Sequence, residues 1–145
     1  MNCHVRKVIP ILVSLFFVMP GASWLHAQIA NDLRAHIDHP FVIGDTTLPP
    51  GEYTFHVMQG VENSVMTVTN ENDKTTVNFN VRDTQDEHTP AHSEIVFRKY
   101  GDTDFLSKIF EGGSKLGAEV TETSRQEAKF VNQHMHPTEQ CEEQK

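Results

Sequence analysis

Between Leu33 and Phe110 apolar side chains recur at every second position in short runs broken by turn residues, and this period excludes a helical body. Leu33, Ala35 and Ile37 share one face of a first strand, Asp38-His39-Pro40 interrupts it, and Phe41-Val42-Ile43 resumes. Pro40 has no N–H to give to a sheet ladder. Gly44 to Gly51 read as a reversing connection, with Pro49-Pro50 fixing φ. Tyr53, Phe55 and Val57 then alternate with Thr54, His56 and Met58, and Gly60 ends that strand. Val65–Thr69 and Thr75–Val81 flank Asn70-Glu71-Asn72-Asp73-Lys74, a polar loop of hairpin length. In the second arm Val77, Phe79 and Val81 face one way, and Asn78, Asn80 and Arg82 face water. The fold class that follows is all-β: a single antiparallel β-sandwich or small β-barrel.

Glu94 to Lys99 and Asp104 to Phe110 form another strand pair about Tyr100-Gly101-Asp102-Thr103, after a polar loop from Asp83 to Ser93. Ile95-Val96 and Phe105-Leu106 put apolar groups on both faces, so something must cover the second face. The segment offered for that cover starts at Thr123, with Gln126 three residues on as in a capping box, and carries Ala128, Val131 and Met135 at helical spacing before Pro137. It reads as one short C-terminal helix or as an unstructured tail. Residues 28–131 form the expected β domain and 132–145 a flexible, acidic, His-containing tail.

The first 27 residues read as a secretory signal peptide, with an uncleaved membrane anchor as the alternative: Arg6-Lys7, an apolar run from Val8 to Met19, Pro20-Gly21, and Leu25-His26-Ala27 as the first-choice cleavage tripeptide, cuts after Ser23 or Ala30 staying open. Export to the periplasm or the outside is the expectation. Removing Arg6 and Lys7 leaves ten Lys and Arg against 20 Asp and Glu, a net charge of −10. Such a surface repels phosphates, which argues against a nucleic-acid partner. Apolar alternations of six or seven residues fall short of the roughly ten that a membrane β-strand needs, so no membrane insertion is expected after cleavage. Cys141 is then the one cysteine left, and no intramolecular disulfide can staple the fold.

Two stretches carry a family resemblance: Gly44-Asp45-Thr46-Thr47-Leu48-Pro49-Pro50-Gly51-Glu52-Tyr53-Thr54-Phe55 and Tyr100-Gly101-Asp102-Thr103-Asp104-Phe105-Leu106-Ser107-Lys108-Ile109. The chain resembles small exported proteins of soil bacteria with a "GDKTLPAGEYTF"-like turn, a "YGDRYFLSQIW"-like hairpin and a short charged C-terminal segment. The resemblance spans roughly residues 28 to 130. It implies export and a β fold, and no activity. Phe110 stands where that family often has tryptophan, Val120-Thr121-Glu122 replaces a more usual Leu-Pro-Lys, and the tail from Asn132 lies outside the likeness.

The chain has no G-x-S-x-G elbow, and Gly112-Gly113-Ser114-Lys115 lacks the spacing of a phosphate loop. Asp86-Glu87-His88 and His92 place acid and base groups on one loop, as polar loops commonly do. The sharpest chemical reading is a metal site at His134, His136 and Cys141, three groups suited to zinc or copper within eight residues, although their spacing matches no structural zinc motif. His36 and His56 read as an outward pair on adjacent strands. The expected function is a non-catalytic binding or structural module of the cell envelope, meeting a protein or small-molecule partner through a sheet edge or the loops at Pro49-Pro50 and Asp83 to Ser93. The alternatives are a carrier of an apolar ligand inside a barrel lined by Tyr53, Phe55, Phe79 and Phe97, and metal binding by the tail. An enzyme ranks last.

Overall fold

A computed structural model describes residues 32–58 and 64–144. The signal-peptide reading of residues 1–27, and Gly60 as a strand end, lie outside the described residues. The elements are β1 (Leu33–Ile37), β2 (Phe41–Ile43), β3 (Thr46–Leu48), β4 (Gly51–Met58), β5 (Ser64–Asn70), β6 (Thr76–Gln85), β7 (Ser93–Tyr100), β8 (Thr103–Phe110), β9 (Leu116–Val120), α1 (Arg125–Asn132) and β10 (Thr138–Gln144). The fold is all-β with one short C-terminal helix.

All ten strands belong to one hydrogen-bonded sheet, ordered β1-β4-β5-β6-β9-β8, continuing through β7 to β10. β7 pairs along one edge of β8, from Thr103 to Phe110. The other edge is divided: β9 takes Lys108 to Phe110, and β2 takes Asp104 and Phe105 in a parallel pairing. That short parallel stretch makes the sheet mixed, where strict alternation suggested an antiparallel one. The hairpin β2–β3 turns through Gly44 at φ +56°, inside what reads as a plain connection in the sequence. One core draws on every strand from β1 to β9, so the sheet coils around its own inner face. It does not close into a barrel, because β1 and β10 share no backbone ladder.

Tyr53, Phe55, Phe79 and Phe97, the residues offered as a ligand lining, are the packed centre of that core, each at most 2 % exposed. Phe41 meets Tyr53 and Phe97 edge-on, with ring centroids 5.1 and 5.6 Å apart. Such contacts fill space that a carrier would leave open. At the rim Asn70 is buried, accepts the N–H of Asn72 at 2.8 Å and donates to the Tyr53 hydroxyl at 3.0 Å. That hydroxyl donates to the Pro49 carbonyl, so one side chain ties the β5–β6 turn to the proline loop.

Apolar groups on both faces of β7 and β8 do signal a second layer. The register slips between Val96 and Phe97, leaving Ser107 as a bulge, which lets Leu106 and Ile109 both enter the core. Val42, Tyr100 and Phe105 form the outer cluster, and Phe130 of α1 packs on it. Phe130 stacks on Tyr100 with centroids 5.7 Å apart and planes 14° from parallel. The helix begins one residue later than Thr123 suggests: the Ser124 hydroxyl caps it by accepting the Glu127 N–H at 2.8 Å. Its packed face is accordingly Glu127 and Phe130, and Val131 and Met135 stay 51 % and 37 % exposed.

Residues 138–144 depart furthest from expectation. Read as part of a flexible tail, they form β10 and pair antiparallel with β7 from Thr138↔Lys99 to Gln144↔Ser93. The strand gives β7 the partner that its edge would otherwise lack.

Candidate functional site

β1 and β10 face each other across an open seam. The His36 N–H donates to the Gln144 side-chain oxygen at 2.9 Å, so side chains span a gap that backbone pairs do not. Alternation along β1 turns the main-chain groups of Arg34 toward the same side. Two clefts open along the seam. One, of about 390 Å³, is lined by Asp32, Arg34, His92, Ser93, Glu111 and Gln144 among others. The other, of about 400 Å³, is lined by Arg34, Ala35, His36, Glu52, Glu143 and Gln144.

His36 and His56 do not pair with each other. The β1–β4 register sets His36 across from Glu52, 2.6 Å from its carboxylate, and His56 contacts Asp32. Each outward histidine thus faces a carboxylate, His36 that of Glu52 on β4 and His56 that of Asp32 just before β1. On the Asp83 to Ser93 stretch β6 extends to Gln85, Asp86 accepts the His88 N–H at 3.0 Å, and His92 joins the first cleft.

Where Asp38-His39-Pro40 interrupts the first strand, the turn carries His39 inward, its ring edge-on to Phe97 with centroids 5.1 Å apart. Nδ1 lies 3.1 Å from Asp38 Oδ1 and 3.2 Å from Glu142 Oε1, and Nε2 lies 3.7 Å from Asp104 Oδ2. Lys99 Nζ is 3.1 Å from that same Asp104 oxygen. Burial pushes the Glu142 carboxyl above the usual carboxylate range, His39 opposes the rise, and Asp38 and Asp104 add to it. Three elements far apart in sequence meet here: the β1–β2 turn, the start of β8, and β10.

A second polar cluster lies under the helix. Arg98 Nε is 3.1 Å from Glu127 Oε1 but out of line for a hydrogen bond, and the Tyr100 hydroxyl lies near enough to influence Glu127. Burial raises the Glu127 carboxyl above 4.5, and Arg98 and Tyr100 offset only part of that rise. With the folded value above the unfolded one, the native state binds the proton more tightly. Its contribution is full below the unfolded value and is lost as pH rises through the folded one. Urea titrations from pH 4 to 7 are therefore expected to show the wild type losing stability relative to Glu127→Gln as pH rises. A gap that closed instead would mean that the Arg98 charge outweighs burial.

The residues expected to hold a metal do not converge. His134 takes φ +60° just after α1; its N–H reaches the Val131 carbonyl at 3.0 Å and that of Met135 the Phe130 carbonyl at 3.2 Å. This is a Schellman turn with histidine in the place usually held by glycine. His136 is exposed on the stretch between helix and β10. Cys141 is in the middle of β10, its thiol 3.4 Å from Glu94 Oε2 and pushed up to about 11 by burial and by that carboxylate. A metal ligand needs the thiolate that this setting disfavours. Among the described residues the three such groups whose ligand atoms come together are Asp38, His39 and Glu142, none of them singled out in the sequence as a ligand.

No protein-family model, curated protein or solved structure matches this chain. Among the described residues no helix is long and apolar enough to cross a membrane.

Proposed function

We propose that this is an exported, non-catalytic binding module of the cell envelope that takes an extended segment of a partner protein along the seam between β1 and β10. The observation that carries the reading is the seam itself, where two antiparallel strands face each other without a ladder. Unpaired main-chain groups on a sheet edge accept an added strand, and flanking pockets select its side chains. Asp32, Glu52, Glu111 and Glu143 outnumber Arg34 among the charged groups of the two clefts, which favours a basic segment. Export rests on the N-terminal pattern and on the family resemblance.

A photo-crosslinking residue placed at Arg34 or Gln144, and at Asp45 on the β2–β3 turn, which lines neither cleft, as control, tests this in host envelope extract. The seam positions should capture one protein that the turn position does not. Identical capture from all three would remove the seam as the binding surface.

A further inference from the structure

The cluster at the inner end of the seam has the spacing of a cation site. One ligand atom each of Asp38, His39 and Glu142 lies within 4.8 Å of the others, and His39 Nδ1 is 3.1 Å from Asp38 Oδ1 and 3.2 Å from Glu142 Oε1. Nitrogen and oxygen ligands about 2.1 Å from one ion are about 3.0 Å apart at octahedral angles and about 3.4 Å apart at tetrahedral ones. Both observed separations fall between these limits.

The far side of the ring supplies an independent observation. Asp104 is 4 % exposed and faces His39 Nε2; its Oδ1 and that Nε2 are both buried with no hydrogen-bond partner among the described residues. A carboxylate that bonds the second nitrogen of a metal-bound imidazole fixes the proton there and turns the other lone pair to the ion; Asp104 Oδ2, 3.7 Å from Nε2, is placed for that role but must close by about half an ångström to make the bond. Nδ1 faces two carboxylates, 3.1 Å from Asp38 and 3.2 Å from Glu142, and can satisfy one of them by donating a proton or both through a shared cation. Lys99 already serves Asp104, so Asp38 and Glu142 share one imidazole, and a divalent ion would match their two charges.

We infer that Asp38, His39 and Glu142 bind a divalent first-row transition cation, with Asp104 positioning the imidazole. Two carboxylates and one imidazole suit a borderline ion such as zinc, and three protein ligands leave coordination positions for water. The ion clasps β10 to the β1–β2 turn, fastening the seam near the end where the two strands already approach. This inference stands whether or not a partner occupies the seam.

Calorimetric titration of the protein with zinc chloride tests it, beside Asp38→Asn, Glu142→Gln, Asp104→Asn and the triple variant His134→Gln/His136→Gln/Cys141→Ser. Asp38 is 81 % exposed, so its substitution leaves folding out of the question. The wild type and the triple variant should bind one zinc each. Asp38→Asn and Glu142→Gln should weaken binding at least about tenfold, and Asp104→Asn by about 10- to 100-fold. Amide hydrogen exchange in β10 should slow on adding zinc in the wild type and not in Asp38→Asn. No saturable binding by the wild type would overturn the site. Binding unchanged in Asp38→Asn but lost in the triple variant would overturn it in favour of the tail.

Discussion

Replacing Gly117 by alanine is expected to destabilise the fold by about 3 kcal/mol, the upper end of the usual overpacking cost, with a fall in Tm of roughly 10 °C or more. Gly117 of β9 stands directly opposite Phe110 of β8. A Cβ there would sit 2.5 Å from the Ile109 carbonyl oxygen and against the Phe110 ring. A side chain could turn aside, but a carbonyl fixed in a sheet cannot. Gly113→Ala is the control, because Gly113 takes φ +81° with nothing within 4 Å of an added Cβ. It should cost only the backbone strain, about 1 kcal/mol. Urea denaturation of both variants separates the two causes, and equal losses would refute the steric one.

β9 also marks a limit of what the chain discloses about itself. Leu-Gly-Ala-Glu-Val has no aromatic residue, carries a glycine at its second position and follows a run of turn residues, so its five residues do not stand out as a strand. It is a strand because β6 and β8 each present it with an edge. The same cause explains β10: Thr-Glu-Gln-Cys-Glu-Glu-Gln is polar on both faces, and no alternation betrays a strand whose stability comes from the ladder with β7. By contrast β1, β4, β6, β7 and β8 are legible, since each has an inner face that must be apolar. The second layer is legible too, from Ile95-Val96 and Phe105-Leu106, though the covering helix meets it through Glu127 and Phe130.

The candidate site is hidden in the sequence for a different reason. Asp38-His39 reads as a strand interruption, Asp104 as part of a hairpin and Glu142 as a charge in a tail. Their meeting depends on where β10 lands, and polar edge strands leave almost no trace in composition. His134, His136 and Cys141 are close in sequence and offer the right chemistry. A Schellman turn and a β-strand then assign them to different places. Proximity along the chain was a poor guide to proximity of ligand atoms here.

The other large effect concerns the two apolar clusters, which lie on opposite faces of β7 and β8. Phe97 is fully buried in the inner cluster, against Phe41 and His39. Phe97→Ala should cost about 3–5 kcal/mol, the usual range for a buried aromatic, because the sheet around it can collapse only partly into the space. Phe130 is only partly buried and packs on three outer residues, so Phe130→Ala should cost less, about 1–2 kcal/mol. The two rings belong to separate clusters, so the double variant should lose the sum of the single losses to within about 0.5 kcal/mol. Chemical denaturation of the three variants measures all these terms. A Phe97 loss no larger than that of Phe130 would put the main source of stability outside the inner core. A clearly non-additive pair would mean that the helix and the core melt as one unit through the sheet between them.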